Sequence, residues 1–151
     1  AAYFNTFIEG EAREVAQQAG TLATLLTASS DLIQKPAALI FGGETTVTVT
    51  MKAHGLGGRN QELALACASY IKDQTDLLIA TVASDGNDGP TDAAGAFVDG
   101  QTIARGRAEG LNAQTYLDKH DSYHFFQALD DLIVTGPTNT NVNDLILIFA
   151  W

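Results

Sequence analysis

A layered α/β domain, with a mixed β-sheet flanked by helices, is the fold class that this chain predicts. Three observations carry it. Segments of helical spacing alternate with short apolar runs along the chain. The plainest of those runs, Leu77 to Ala83, leads directly into SDGNDGPTDAAGA at Ser84–Ala96, as a buried strand delivering a polar loop would. Two further runs, Ala37–Phe41 and Thr45–Met51, follow each other so closely across Gly42-Gly43 that a hairpin is expected, and with it a mixed sheet.

Taken in order, Phe4, Ile8, Ala12, Val15, Ala19, Leu22 and Leu26 recur at three- and four-residue spacing and predict an amphipathic helix. Glu9, Glu11 and Glu14 fall mostly on its solvated face. After Pro36, Ala37–Phe41 reads as a short buried strand. Gly42-Gly43 reads as a turn, and Thr45–Met51, alternating threonine and valine, as a half-buried strand. Gln61–Asp73 returns to helical period through Leu63, Ala66, Cys67, Tyr70 and Ile71, which makes Cys67 a core residue rather than a nucleophile. Asp76–Ala83 is a buried strand. Helices are expected over Asp99–Glu109, Ala113–Lys119 and, capped by Asp121 or Ser122, through Leu129. Leu132–Thr135 is a short strand, and Leu145–Trp151 a terminal strand buried on both faces. There is no internal repeat and no low-complexity linker.

The 151 residues suit one domain able to bury a sizeable core, and 46% hydrophobic residues exclude a disordered polar chain. A formal net charge of −10 argues against nucleic acid or an anionic membrane as partner, since both need clustered Lys and Arg. A small anion would need local donors or a divalent cation. One cysteine cannot form an intramolecular disulfide and fits a reducing compartment. No run approaches the ~20 apolar residues of a spanning helix, so the expectation is a soluble, cytoplasmic protein. The chain begins Ala-Ala-Tyr-Phe and its one methionine is Met51, which reads as a portion of something longer.

Three loops hold the chemistry, and they are expected to converge on one site that handles phosphate. HGLGGRNQE, His54–Glu62, joins a strand to a helix. Gly55, Gly57 and Gly58 allow positive φ and close backbone approach. Asn60 suits an N-cap, and the helix's first-turn amides form an anion site. Arg59 adds a permanently charged planar fork. The spacing matches neither a P-loop nor a dinucleotide fingerprint. SDGNDGPTDAAGA offers Asp85, Asp88 and Asp92. Carboxylates there suit Mg²⁺ shared with substrate phosphates; alternatively Asp85 closes a turn and Asp92 caps a helix. The calcium-loop pattern is broken by Gly89 and Ala96. TGPTNTNVNDL, Thr135–Leu145, offers the hydroxyls of Thr135, Thr138 and Thr140 and the amides of Asn139, Asn141 and Asn143 to a hydroxyl or phosphate; alternatively it is a turn-rich entry to the last strand. Glu44, in the expected turn, is placed either to orient Arg59, to bind a hydroxyl, or simply to be solvated. His120 and His124 have the spacing of a zinc pair, but a helix starting at Asp121–Ser122 would place them on different elements.

Taken together, GGETTVTV, GLGGRNQELALA, SDGNDGPTDAAGA and TGPTNTNVNDL resemble, in this order, the MOFRL domain at the C-terminus of the glycerate 2-kinase family. The resemblance runs from about Glu9 to Ala150. It implies transfer of the ATP γ-phosphoryl to glycerate, giving 2-phosphoglycerate, with Mg²⁺. It also implies an N-terminal Rossmann-like domain beyond this chain and an active site in the cleft between the two. Arg59 matches the position of an active-site arginine. Gly57, Gly58, Asn60, Glu44, Thr138 and Asn141 would then bind substrate or phosphate, and Asp85 and Asp88 the metal. Leu56 stands where many relatives have a basic residue, Asn139 replaces a common glycine, and Phe41 a frequent serine. Many members carry the name hydroxypyruvate reductase, so NAD(P)-dependent reduction is the competing activity. A non-catalytic module that binds a small molecule is the third reading.

Overall fold

The computed structural model describes residues 2–28, 33–49 and 54–151, residues 2–6 by backbone alone. Its first element is a strand, β1 (Ala2–Glu11), and the chain becomes helical only in α1 (Ala12–Ala28). The single helix expected from Phe4 is therefore two elements. Tyr3, Thr6, Phe7 and Ile8 are aromatic or β-branched and suit a pleated surface. They lie parallel to β2 (Ala37–Thr46), with Ala2 opposite Leu39 and Glu11 opposite Thr46. Gly10 turns at φ 126, and the Glu11 carboxylate accepts hydrogen bonds from Thr46 and Thr48, tying the end of β1 to that of β2. Beyond Ala12 the expected stripe is present: Val15, Ala16, Ala19, Ala23 and Leu26 are buried.

The expected hairpin is also absent. Residues 37–46 form one continuous strand, with Gly42 and Gly43 inside it. Gly43 is there for proximity, because a Cβ would fall 2.1 Å from the Ile8 carbonyl oxygen of β1. The second expected strand ends at Thr46, and Thr50 and Met51 lie outside the described residues. The sheet is mixed nonetheless, through the parallel β1–β2 pair. Its other strands are β3 (Leu77–Ala83), β4 (Gly95–Asp99), β5 (Leu132–Ile133) and β6 (Asp144–Ala150), all paired antiparallel. The order is β1-β2-β6-β3-β4-β5. β4 was not expected, since Gly95 and Ala96 read as the tail of the preceding loop.

Helices α2 (Arg59–Tyr70), α3 (Thr102–Ala108), α4 (Ala113–Asp118) and α5 (Ser122–Leu129) fall where the periodicity put them. α1 and α2 share one core with Leu39, Phe41, Leu77, Ile79, Ile146 and Ile148. The alternate strand positions Ile40, Leu78, Val82, Leu145 and Leu147 are only half-buried, and Phe149 is exposed. β6 is thus buried on one face, not on both as expected. Cys67 is wholly buried and its thiol pKa is pushed up by desolvation, which fits a core residue. Phe7 is 70% exposed, while the side chains of Tyr3 and Phe4 lie outside the described residues.

Candidate functional site

The site is organised around the first turn of α2. Its N-cap is Gly58, which has no side chain to offer the orphan amides. Asn60, expected to cap, lies inside the helix and is 1% exposed. The cap comes instead from another loop. One oxygen of Asp88 accepts from the Asn60 backbone N–H at 3.0 Å and its side-chain amide at 3.3 Å; the other accepts from the Gln61 N–H at 2.9 Å. The anion at this helix N-terminus is therefore part of the protein. Burial pushes the Asp88 pKa up, and the amides of Gln61 and Asn60 pull it back. At 1% exposure with both oxygens engaged, Asp88 is not free to ligate Mg²⁺ as expected.

The loop glycines are explained by contact rather than by dihedral angle. Gly55, Gly57 and Gly58 are not among the residues with positive φ, contrary to expectation. A Cβ at Gly58 would lie 2.3 Å from the Asp88 carboxyl carbon, one at Gly57 2.4 Å from Ser122 Oγ, and one at Gly55 2.2 Å from Asp121 Cβ. Gly58→Ala is expected to push Asp88 off the helix and to destabilise the protein by about 1–3 kcal/mol, the usual range for overpacking. A denaturant melt beside wild type measures this, and an unchanged midpoint would rule it out.

Arg59, the first residue of α2, reaches across to β6. Its Nε donates to Asp144 Oδ2 at 2.6 Å and its Nη2 to Asp144 Oδ1 at 3.1 Å, a bidentate fork. Nη1 lies 2.9 Å from Glu44 Oε1. Hydrogen bonding to Asp144 is the main cause of the raised Arg59 pKa, with burial opposing it. Glu44 sits near the end of β2, not in a turn, and it is the orienting role that the geometry favours. Asp144 was missed; the available signal was a lone carboxylate at the junction of TGPTNTNVND with an apolar strand.

The second and third loops also meet. Ser84 N–H donates to Asn143 O at 3.1 Å, Thr138 N–H to Asp85 O at 3.1 Å, and Val142 N–H to Ser84 Oγ at 2.8 Å. Gly86 at φ 89 packs on Gly136 at φ 65. Because Asp144 pairs with both Ala83 and Gly43 and accepts from Arg59, all three loops gather at one end of strands β2, β6 and β3. The Thr138 hydroxyl donates to Ser84 O, tying the third loop to the second, and Asn141 Oδ1 accepts from Asn143 N–H within its own loop. Asp85 closes a turn by accepting from Asn87 N–H at 3.0 Å. Asp92 precedes β4, not a helix, and accepts from the Tyr123 hydroxyl at 2.8 Å.

A cavity of about 240 Å³ opens beside Arg59, walled by Gly57, Gly58, Glu62, Pro90 and His120 among others. Asp85, Thr138 and Asn141 do not line it. His120 stands in the turn before α5 at φ 51, with Nδ1 2.8 Å from Glu62 Oε2. Neither Glu62 nor this role of His120 was anticipated. His124, on α5, pairs with Asp121 at 2.6 Å, so the two histidines lie on different elements as expected. Among the described residues no three His, Cys, Asp or Glu side chains are grouped to hold a metal ion. No helix among them is long and apolar enough to cross a membrane.

Residues 37–144 match the MOFRL family. The chain is 44% identical over 142 residues to a D-glycerate 2-kinase of Thermotoga maritima, covering 94% of this chain and 34% of that protein. It is 41% identical over 142 residues to a glycerate 2-kinase of Pyrococcus horikoshii, covering 94% and 32%. The crystal structure of a glycerate kinase from Thermotoga maritima superposes with a TM-score of 0.93 at 41% identity, over 99% of this chain and 36% of that one. The chain thus spans about a third of the length of the curated relatives it matches.

Proposed function

The chain belongs to the MOFRL family, and from that premise we propose that it is the C-terminal domain of an ATP-dependent glycerate 2-kinase. Residues 1–151 would supply one wall of a cleft and an N-terminal Rossmann-like domain the other, in a cytoplasmic enzyme whose isolated C-terminal part is inactive. The observation that carries the reading is Arg59, held by Asp144 and Glu44 on the rim of a cavity bounded by the Gly57-Gly58 backbone. Phosphoryl transfer asks a protein for positioning and charge neutralisation more than for covalent chemistry. A guanidinium fixed from behind by two carboxylates keeps its remaining donors for a phosphoryl oxygen or the glycerate carboxylate. The glycine turn lets backbone approach the same ligand, and Gly57 and Gly58 act there through the main chain, whereas the Asn60 N–H is already taken by Asp88.

Mg²⁺, where bound, neutralises the nucleotide phosphates. Asp85, half-buried, and Asp92, exposed, are the carboxylates of the second loop that remain accessible to it, and Asp85 is the one proposed to hold it, whereas Asp88 does not fit the part. Thr138 acts one step back, holding the loop that carries Asp85, and Asn141 braces the third loop itself.

The test is glycerate-dependent ADP release by the protein that carries this chain. Release that needs glycerate and Mg²⁺ is expected. Nicotinamide oxidation by hydroxypyruvate without ADP release would replace the kinase with the reductase. A folded protein showing neither, yet binding glycerate, would leave a binding module.

A further inference from the structure

We propose that His120 is the proton acceptor for the glycerate hydroxyl that is phosphorylated, with Glu62 as its positioning residue; the inference rests on the kinase reading above. Glu62 lies on α2, one turn from Arg59, with a side chain 5% exposed. Its Oε1 is paired with Arg13 Nε of α1 at 2.7 Å and its Oε2 lies 2.8 Å from His120 Nδ1. A carboxylate only accepts, so that contact fixes the proton on Nδ1 and leaves the lone pair of the neutral ring on Nε2. Arg13 also donates to the Leu117 carbonyl of α4, which anchors the pair to the turn carrying His120. The imidazole borders the same cavity as Arg59 and the Gly57-Gly58 backbone. A carboxylate-paired imidazole bordering a cavity that also holds a fixed cation forms the constellation of a general base beside a bound anion.

The step balances. The glycerate O–H gives its proton to His120 Nε2 while its oxygen forms a bond to the γ-phosphorus of the nucleoside triphosphate. The bond from that phosphorus to the bridging oxygen breaks, and its electron pair leaves on the nucleoside diphosphate. Imidazolium then forms beside Glu62, which stabilises it. The charged and titratable groups around the ring are Arg13 from α1, Glu62 and Arg59 from α2, and His54 on the cavity wall; Asp121, the next residue in the chain, is turned to Leu56 N–H and His124.

The decisive variant is His120→Asn in the whole protein that carries this chain. Asparagine tolerates the left-handed backbone at φ 51 and can still donate to Glu62, but it has nothing at the Nε2 position. Wild-type ADP release is the control for the kinase reading, and its absence would overturn both proposals. With wild type active, His120→Asn is expected to lower kcat about a hundredfold, at the lower end for a general base, with glycerate KM within about threefold. The acid limb of the pH profile should disappear with it. His120→Gly should recover activity on addition of imidazole, which a purely structural role would not give. Glu62→Gln should lower kcat at least about tenfold with glycerate KM within about threefold, because the developing imidazolium loses its counter-charge. A His120→Asn enzyme within about threefold of wild-type kcat would overturn the proposal and leave the kinase standing. A Glu62→Gln enzyme within about threefold of wild-type kcat would overturn the part given to Glu62.

Discussion

Replacing Arg59 by alanine is expected to lower kcat/KM for glycerate phosphorylation at least about a hundredfold, the scale on which removal of one preorganised charge at a reacting group is felt. Steady-state ADP release by the whole protein measures it. Arg59→Lys separates charge from shape. Lysine keeps the positive charge but not the fork that Asp144 holds at 2.6 and 3.1 Å, and it should remain at least about tenfold below wild type. The structural cost of Arg59→Ala is smaller. It leaves the nearly buried Asp144 carboxylate without its partner, but the Arg59 side chain is 36% exposed, so the loss belongs near surface pairs, roughly 1 kcal/mol. A melt that moves little while activity collapses is therefore the expected pattern. Activity within about threefold of wild type would remove this arginine from the chemistry.

Legibility of the fold in the sequence followed the reach of the forces involved. The α2 stripe, the β3 run and the three later helices are encoded by local period and were placed to within a few residues. The N-terminus was misread because Phe4 and Ile8 continue in phase the apolar spacing of α1, so one period spans a strand and a helix. What separates them is non-local: β1 exists because β2 lies beside it. Gly42-Gly43 misled for a related reason. Locally the pair signals a turn, while in the sheet Gly43 is required by the backbone of Ile8.

The candidate site divides in the same way. That three polar loops belong together was visible in their residue types, and Arg59 stood out as a cation among glycines. Its orienting partner Asp144 lies 85 residues away, and the partner of Glu62, His120, lies 58 away, pairings that no spacing rule contains. Asp88 was the most misleading residue. A carboxylate in an aspartate- and glycine-rich loop resembles a metal ligand, and only the position of α2's first turn turns it into a cap.

That cap carries the second large effect. Asp88→Ala would strip the acceptor from the backbone N–H groups of Asn60 and Gln61 and from the Asn60 amide, at a position 1% exposed to water. With each unsatisfied buried donor costing about 1–3 kcal/mol and some relaxation of the loop, a loss of about 2–4 kcal/mol is expected in denaturant unfolding. Arg59 begins the same turn, so activity should fall with stability, and hydrogen exchange should quicken at the start of α2. Asp88→Asn tests the charge at nearly constant shape. Burial raises the folded-state pKa of Asp88 above its unfolded value, so its contribution is fully present below the unfolded pKa and is lost as pH rises through the folded one. The stability gap between wild type and Asp88→Asn should therefore be widest in acid, below the ordinary carboxylate pKa, and narrow towards neutrality. A gap that widens as pH rises would mean that the helix amides outweigh desolvation at Asp88. The first turn of α2 would then be tuned to hold a charged carboxylate, and Arg59 would be working against a permanent anion behind it.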